Sequence, residues 1–109
     1  MNYAEADALL GRHPRRRLRL NTYLIRAGDS IKIRLYDTDV ITFRPDRFTL
    51  RAGAWRTSTT QRRINQYSPA KVYSVKGGWH VGTVLFHDGI TFSQDAEGVC
   101  QVVEEQYAL

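Results

Sequence analysis

The feature that leaves this chain fewest choices is a period of two in its apolar residues, broken at short intervals by turn residues. Leu18, Leu20, Thr22 and Leu24 alternate with Arg17, Arg19, Asn21 and Tyr23, and Ile31, Ile33 and Leu35 alternate with Lys32 and Arg34. Successive side chains of a strand point to opposite faces, so each run reads as a half-buried strand with one apolar and one basic face. Ala27-Gly28-Asp29, Pro45-Asp46-Arg47, Gly77-Gly78 and Asp88-Gly89 are turn signals that return each strand antiparallel to the last. The pattern predicts strands over 17–24, 30–36, 40–44, 48–51, 71–76, 79–83, 90–92 and 99–103, the last after a turn at 96–98. A helical reading applies to Tyr3–Leu10, with Ala4, Ala8 and Leu9 on one side and Gly11 and Pro14 as its stop, followed by a basic linker to Arg16. The expected fold is α+β and mainly β. It is a curled antiparallel sheet or meander with a short N-terminal helix and one short inserted helix near residues 59–67. The 109 residues make a single domain, with 1–16 as helix plus linker and 17–109 as the sheet.

The inserted helix follows from Ser58 and Gln61, which have the spacing of a capping box and so start a helix at Thr59. Carried to Tyr67, a 3.6-residue period puts Thr60, Ile64 and Tyr67 on one face and Arg62 with Gln66 on the other. The plainer reading of this segment is an amphipathic helix covering a sheet, its arginines solvated. The sharper reading takes Thr57, Thr59, Thr60, Arg62 and Arg63 as a donor-rich surface at a helix N-terminus, suited to phosphate or another anion. Trp55, close to a strand end, is expected to close the core.

Charge is unevenly placed along the chain, whose formal net charge is +5. Arg12, Arg15, Arg16, Arg17, Arg19 and Arg26 fall in 12–26 without an acid, whereas Asp95, Glu97, Glu104 and Glu105 fall in 94–109 without a base. Of sixteen basic residues only Lys32, Lys71 and Lys76 are lysines. The planar guanidinium fork suits bidentate contact with phosphate or carboxylate, which raises nucleic acid or an acidic protein surface as partner. Arg44, Arg47, Arg51 and Arg56 could extend the basic surface. Arginines on the wet face of a strand, or guarding a sheet edge, explain the same pattern without a partner.

Groups that carry chemistry are sparse. The single cysteine, Cys100, excludes an internal disulfide and a thiolate-rich zinc site, and reads as a small core residue. His80, His87 and Asp88 are too few to close a metal centre, and Asp37 with Asp39 reads as a turn making hydrogen bonds to backbone. No serine sits in a nucleophile elbow and no glycine-rich phosphate loop is present, so no catalytic residue, metal or cofactor is expected. The longest apolar run is too short to span a bilayer and the start lacks the order of a signal peptide; a cytoplasmic location is expected.

Asn21-Thr22-Tyr23-Leu24, Ile33-Arg34-Leu35, Thr38-Asp39-Val40-Ile41-Thr42, Trp55-Arg56-Thr57-Ser58-Thr59-Thr60 and Arg63-Ile64-Asn65 together resemble a family of small proteins of tailed bacteriophages and prophages. The resemblance covers Asn21 to Phe92, with Ala54 and Arg47 where the family pattern has glycine. It implies a viral setting and the host cytoplasm, and carries no activity to any position. The expected function is a non-enzymatic binding module for DNA or RNA. Arg15, Arg16, Arg17 and Arg19 would lie on backbone phosphates, with Thr59, Thr60, Arg62 and Arg63 as a second contact set. The alternative is an accessory protein that occludes a host protein, such as a defence nuclease or CRISPR effector, through exposed tryptophan and arginine.

Overall fold

A computed structural model describes residues 1–95 and 100–103. The chain runs α1 (Tyr3–Leu10), β1 (Arg15–Arg19), β2 (Thr22–Ala27), β3 (Ser30–Leu35), β4 (Thr38–Arg44), β5 (Arg47–Leu50) and α2 (Ser58–Tyr67). It continues through β6 (Val72–Val75), β7 (Gly78–Val81), β8 (Val84–Leu85), β9 (Ile90–Gln94) and β10 (Cys100–Val102). Neighbouring strands are antiparallel throughout, in a seven-stranded sheet of order β1-β2-β3-β4-β5-β9-β10 and a three-stranded sheet β6-β7-β8. This is the mainly-β, antiparallel fold expected, with a leading and an inserted helix.

Cross-strand register explains where the core lies. Leu24, Ile33, Ile41, Leu50 and Ile90 face one another in a row across five strands, and Ile31, Phe43, Phe48 and Phe92 make a second row on the same face. All are 0–5% exposed, and the Phe48 and Phe92 rings stack at 5.3 Å. At β4 the pairing slips, because Ile33 faces Ile41 while Arg34 faces Asp39, leaving Val40 as the extra residue of a bulge. Both Val40 and Ile41 are thereby buried.

The helices and the small sheet close the apolar side. α1 is capped by Asn2, whose Oδ1 accepts from Glu5 N at 2.9 Å, and ends at Gly11 with φ 56. It buries Ala6 and Leu10, whereas Ala4, Ala8 and Leu9 are exposed, so its inner side is not the one the sequence suggested. α2 starts one residue before the expected position. Its cap is Thr57, which accepts from Thr60 N, and Gln61 reaches away to donate to Ser74 Oγ instead of closing a capping box. The faces of α2 are as expected, with Thr60 and Ile64 buried and Arg62 and Gln66 exposed. Ile64 joins Val72, Trp79, Val81 and Phe86 in the common core.

Three further expectations give way to the structure. The run 17–24 is not one strand: a turn at Leu20-Asn21, with Asn21 at φ 60, folds it into the β1–β2 hairpin, and β1 begins at Arg15 inside the expected linker. The hairpin between β6 and β7 turns at Lys76-Gly77, both with positive φ, one residue before Gly77-Gly78. Asp88-Gly89 is no hairpin between neighbours in sequence. Instead β9 pairs with β5, and the Asp88 carboxylate accepts from Ala52 N and Gly53 N at 2.9 Å each, stapling the loop after β5 to the start of β9. The expected turn at 96–98, residue 99 of the last strand and Glu97, Glu104 and Glu105 lie outside the described residues. No helix among the described residues is long and apolar enough to cross a membrane.

Candidate nucleic-acid interface

Within the seven-stranded sheet, outside the bulge at Val40, the residues that alternate with the core rows point to the opposite face. On that face the register aligns Arg15, Ile25, Lys32, Thr42, Thr49 and Thr91 in one row. Arg17, Tyr23, Arg34 and Asp39 form a second row, and Arg44, Arg47, Ser93 and Gln101 a third. None of these side chains is fully buried, and the bases outnumber the carboxylates. The face is therefore an open, basic, hydroxyl-lined surface.

Its charges differ in how strongly they are held. Arg34 donates to Asp39 through Nε at 2.7 Å and Nη2 at 3.4 Å, with Lys32 Nζ 3.4 Å from the same carboxylate. Burial opposes ionisation of Asp39, but the Arg34 hydrogen bond, its charge and Lys32 together outweigh that and hold the carboxyl below its usual range. The same hydrogen bond raises the Arg34 guanidinium. This ion pair replaces the backbone turn bonds expected of Asp39. Arg47 pairs with Asp46 at 3.3 Å. Arg15 lies over the Tyr23 ring at 4.5 Å, a cation–π contact. Arg15, Arg17 and Arg44 form no ion pair among the described residues.

The residues singled out in the sequence do not all meet here. Alternation along β1 splits its arginines. Arg15 and Arg17 stand on the open face, while Arg16 is partnered with Leu24 and Arg19 with Thr22 on the helix-covered side. Arg16 donates to Leu9 O at 3.1 Å and Arg19 to Gln66 Oε1 at 3.1 Å, each tying the edge strand to a helix. Arg63 turns inward, its Nε donating to buried Thr22 Oγ1 at 3.2 Å, and Thr60 is 4% exposed. Arg62 and Thr59 are exposed on α2, away from the open sheet face. The expected second contact set is thus divided between helix surface and packing.

Sequence reasoning left Lys32 and Arg34 out of the candidate site. The polar phase of each strand was visible, but which polar phases share a face depends on register. Arg56, grouped with the basic surface, packs over Phe86 at 5.2 Å and Trp79 at 5.9 Å. Trp55 reverses its expectation: it is 68% exposed, and Trp79, 6% exposed and edge-on to Phe86 at 5.4 Å, occupies the core. Among the described residues no group of His, Cys, Asp and Glu is placed to hold a metal ion. Burial, with Asp95 adding to it, pushes the Cys100 thiol up, away from the reactive thiolate. Comparison with protein families, with curated proteins and with solved structures gives no match to this chain.

Proposed function

We propose that the protein binds nucleic acid through the open face of the seven-stranded sheet, without reading sequence. The observation that carries this is the cross-strand register that puts Arg15, Arg17, Lys32, Arg34, Arg44 and Arg47 on the face left uncovered by helices. The guanidinium groups of Arg15, Arg17 and Arg44, which form no ion pair among the described residues, can neutralise backbone phosphates without selecting bases. Tyr23, already under Arg15, offers a ring edge to an unpaired base.

The test is binding of labelled single-stranded DNA, double-stranded DNA and RNA across a salt series, for the native protein and a variant with Arg15, Arg17, Arg44 and Arg47 changed to glutamine. Affinity that falls steeply with salt, with a shallower slope in the variant, supports the reading. Absence of binding at about 50 mM salt, where phosphate contacts are strongest, overturns it. A second reading, a phage accessory protein that occludes an acidic host protein in the host cytoplasm, is favoured by exposed Trp55. Capture from host lysate that persists after nuclease treatment and is lost in Trp55→Ala selects it.

A further inference from the structure

On the other side of the molecule, where α2 begins, a cavity of about 430 Å³ opens between the β3–β4 hairpin and the loop that precedes the helix. That volume lies in the range of small-molecule sites. Leu35 and Val40 line it, Tyr36 and Trp55 supply aromatic rings, Asp37 a carboxylate, and threonines from α2 and β4 hydroxyls. No lysine or arginine lines it, on a chain whose net charge is +5.

The walls are held in place by the backbone around them. Tyr36 occupies the first position of the hairpin turn at φ 53, a conformation costly to a bulky residue and natural to glycine. Gly53, at φ 65, lets the loop lie against Thr38, since a Cβ there would stand 3.3 Å from the threonine side chain. The Asp88 carboxylate clamps the same loop through Ala52 N and Gly53 N. The exposed rings of Tyr36 and Trp55 make no ring contact, and Asp37 no hydrogen bond or ion pair, among the described residues. Of the nearby cations, Arg34 is held by Asp39 and feels the Asp37 charge only as a lesser influence, and Arg56 lies over Phe86 and Trp79.

We infer that this cavity binds a methylated alkylammonium group, held against the faces of Trp55 and Tyr36 with Asp37 as counter-ion. Aromatic faces attract a weakly hydrated cation through the ring quadrupole, tryptophan most strongly, and a carboxylate at the rim adds a full charge. The N-terminus of α2 carries only about half a positive charge, and Thr57 already accepts one of its N–H groups, so Asp37 sets the sign of the site. Neutral hydroxyls around the rim suit a headgroup that brings a hydroxyl or amide of its own. This site is independent of the basic sheet face.

Choline and its neutral isostere 3,3-dimethylbutan-1-ol separate charge from shape. Titrated into the full-length ¹⁵N-labelled protein, choline is expected to shift the Trp55 indole and the amides of Tyr36 and Asp37, and to bind about tenfold more tightly than the alcohol. Asp37→Asn removes most of that difference while leaving alcohol binding unchanged, and Trp55→Ala abolishes both; both positions are exposed, so the fold is spared. N-acetyl-trimethyllysine amide distinguishes sources, since tighter binding than choline assigns the site to a side chain of a partner and weaker binding to a free metabolite. Equal affinity for choline and the alcohol, or no saturable shift at these residues up to about 50 mM ligand, overturns the proposal.

Discussion

Phe48 and Thr49 are neighbours on β5, yet they belong to different environments. Phe48 is 1% exposed and stacks on Phe92, while Thr49 shares a 2.9 Å hydroxyl contact with Thr91 on the open face. The same contrast runs through the whole seven-stranded sheet: one face is an aliphatic and aromatic ladder sealed by helices, the other a lattice of guanidinium, ammonium and hydroxyl groups left to solvent. The packed apolar contacts therefore lie on one side and the basic, hydroxyl-bearing surface on the other. The two can be altered separately because a strand sends adjacent side chains in opposite directions.

The sharpest way to break that contrast is to hollow the sealed face. Phe48→Ala removes a ring from both its stack and its cross-strand pair with Phe43, and is expected to destabilise by about 3–5 kcal/mol in chemical denaturation. On the proposed reading of the open face, the same variant keeps its nucleic-acid binding at temperatures where it remains folded. Next comes Thr22→Val on the covered side. Thr22 is fully buried and its hydroxyl accepts from Arg63 Nε, so its loss strands a guanidinium that already has one buried nitrogen, Nη1, without a partner. About 1–3 kcal/mol is expected, and no more than a few tenths in the double variant with Arg63→Met relative to Arg63→Met alone.

On the open face the effects shrink. The Asp39 carboxyl is held below its ordinary value of 3.8 in the folded protein, so its contribution is present above about pH 4 and is lost as pH falls through the lower folded value. Asp39→Asn should flatten the acid limb of a stability-versus-pH curve and cost about 1 kcal/mol or less at neutral pH, since the Arg34 side chain is 42% exposed. Thr49→Ala is expected to cost about 0.2–1 kcal/mol by the loss of the Thr91 contact, although it lies beside Phe48 in the chain. A loss comparable to that of Phe48→Ala would mean that this face is also packed, against the separation drawn above.

Much of the architecture was legible in local pattern. The alternation in β3, the Gly11 stop of α1 and the Thr60–Ile64 side of α2 all follow from periodicity and turn chemistry, which act within a few residues. What failed was the part that depends on distant neighbours. An apolar-polar alternation continues smoothly through a hairpin, so nothing in 17–24 marked the turn at Asn21, and a turn moved there changes which arginines of β1 face outward. Asp88 resembled a hairpin residue because Asp-Gly favours positive φ, yet its carboxylate serves a loop thirty-five residues earlier in the chain. The sequence grouped Arg62 and Arg63 by adjacency, while the helix turns one to solvent and the other onto Thr22.

The two tryptophans mark the boundary between the two kinds of information. From sequence alone came an antiparallel, mainly β chain with two short helices, a basic phase along its strands and a poverty of catalytic groups, because hydrophobic period, turn residues and composition are properties of short segments. Only the tertiary structure decided that Trp79 fills the core and Trp55 stands at the mouth of a cavity, and that β5 finds β9 as its neighbour across an inserted helix and sheet. Burial and cross-strand register are set by whichever remote surfaces come together when the chain closes on itself, and that competition is not encoded in any one stretch.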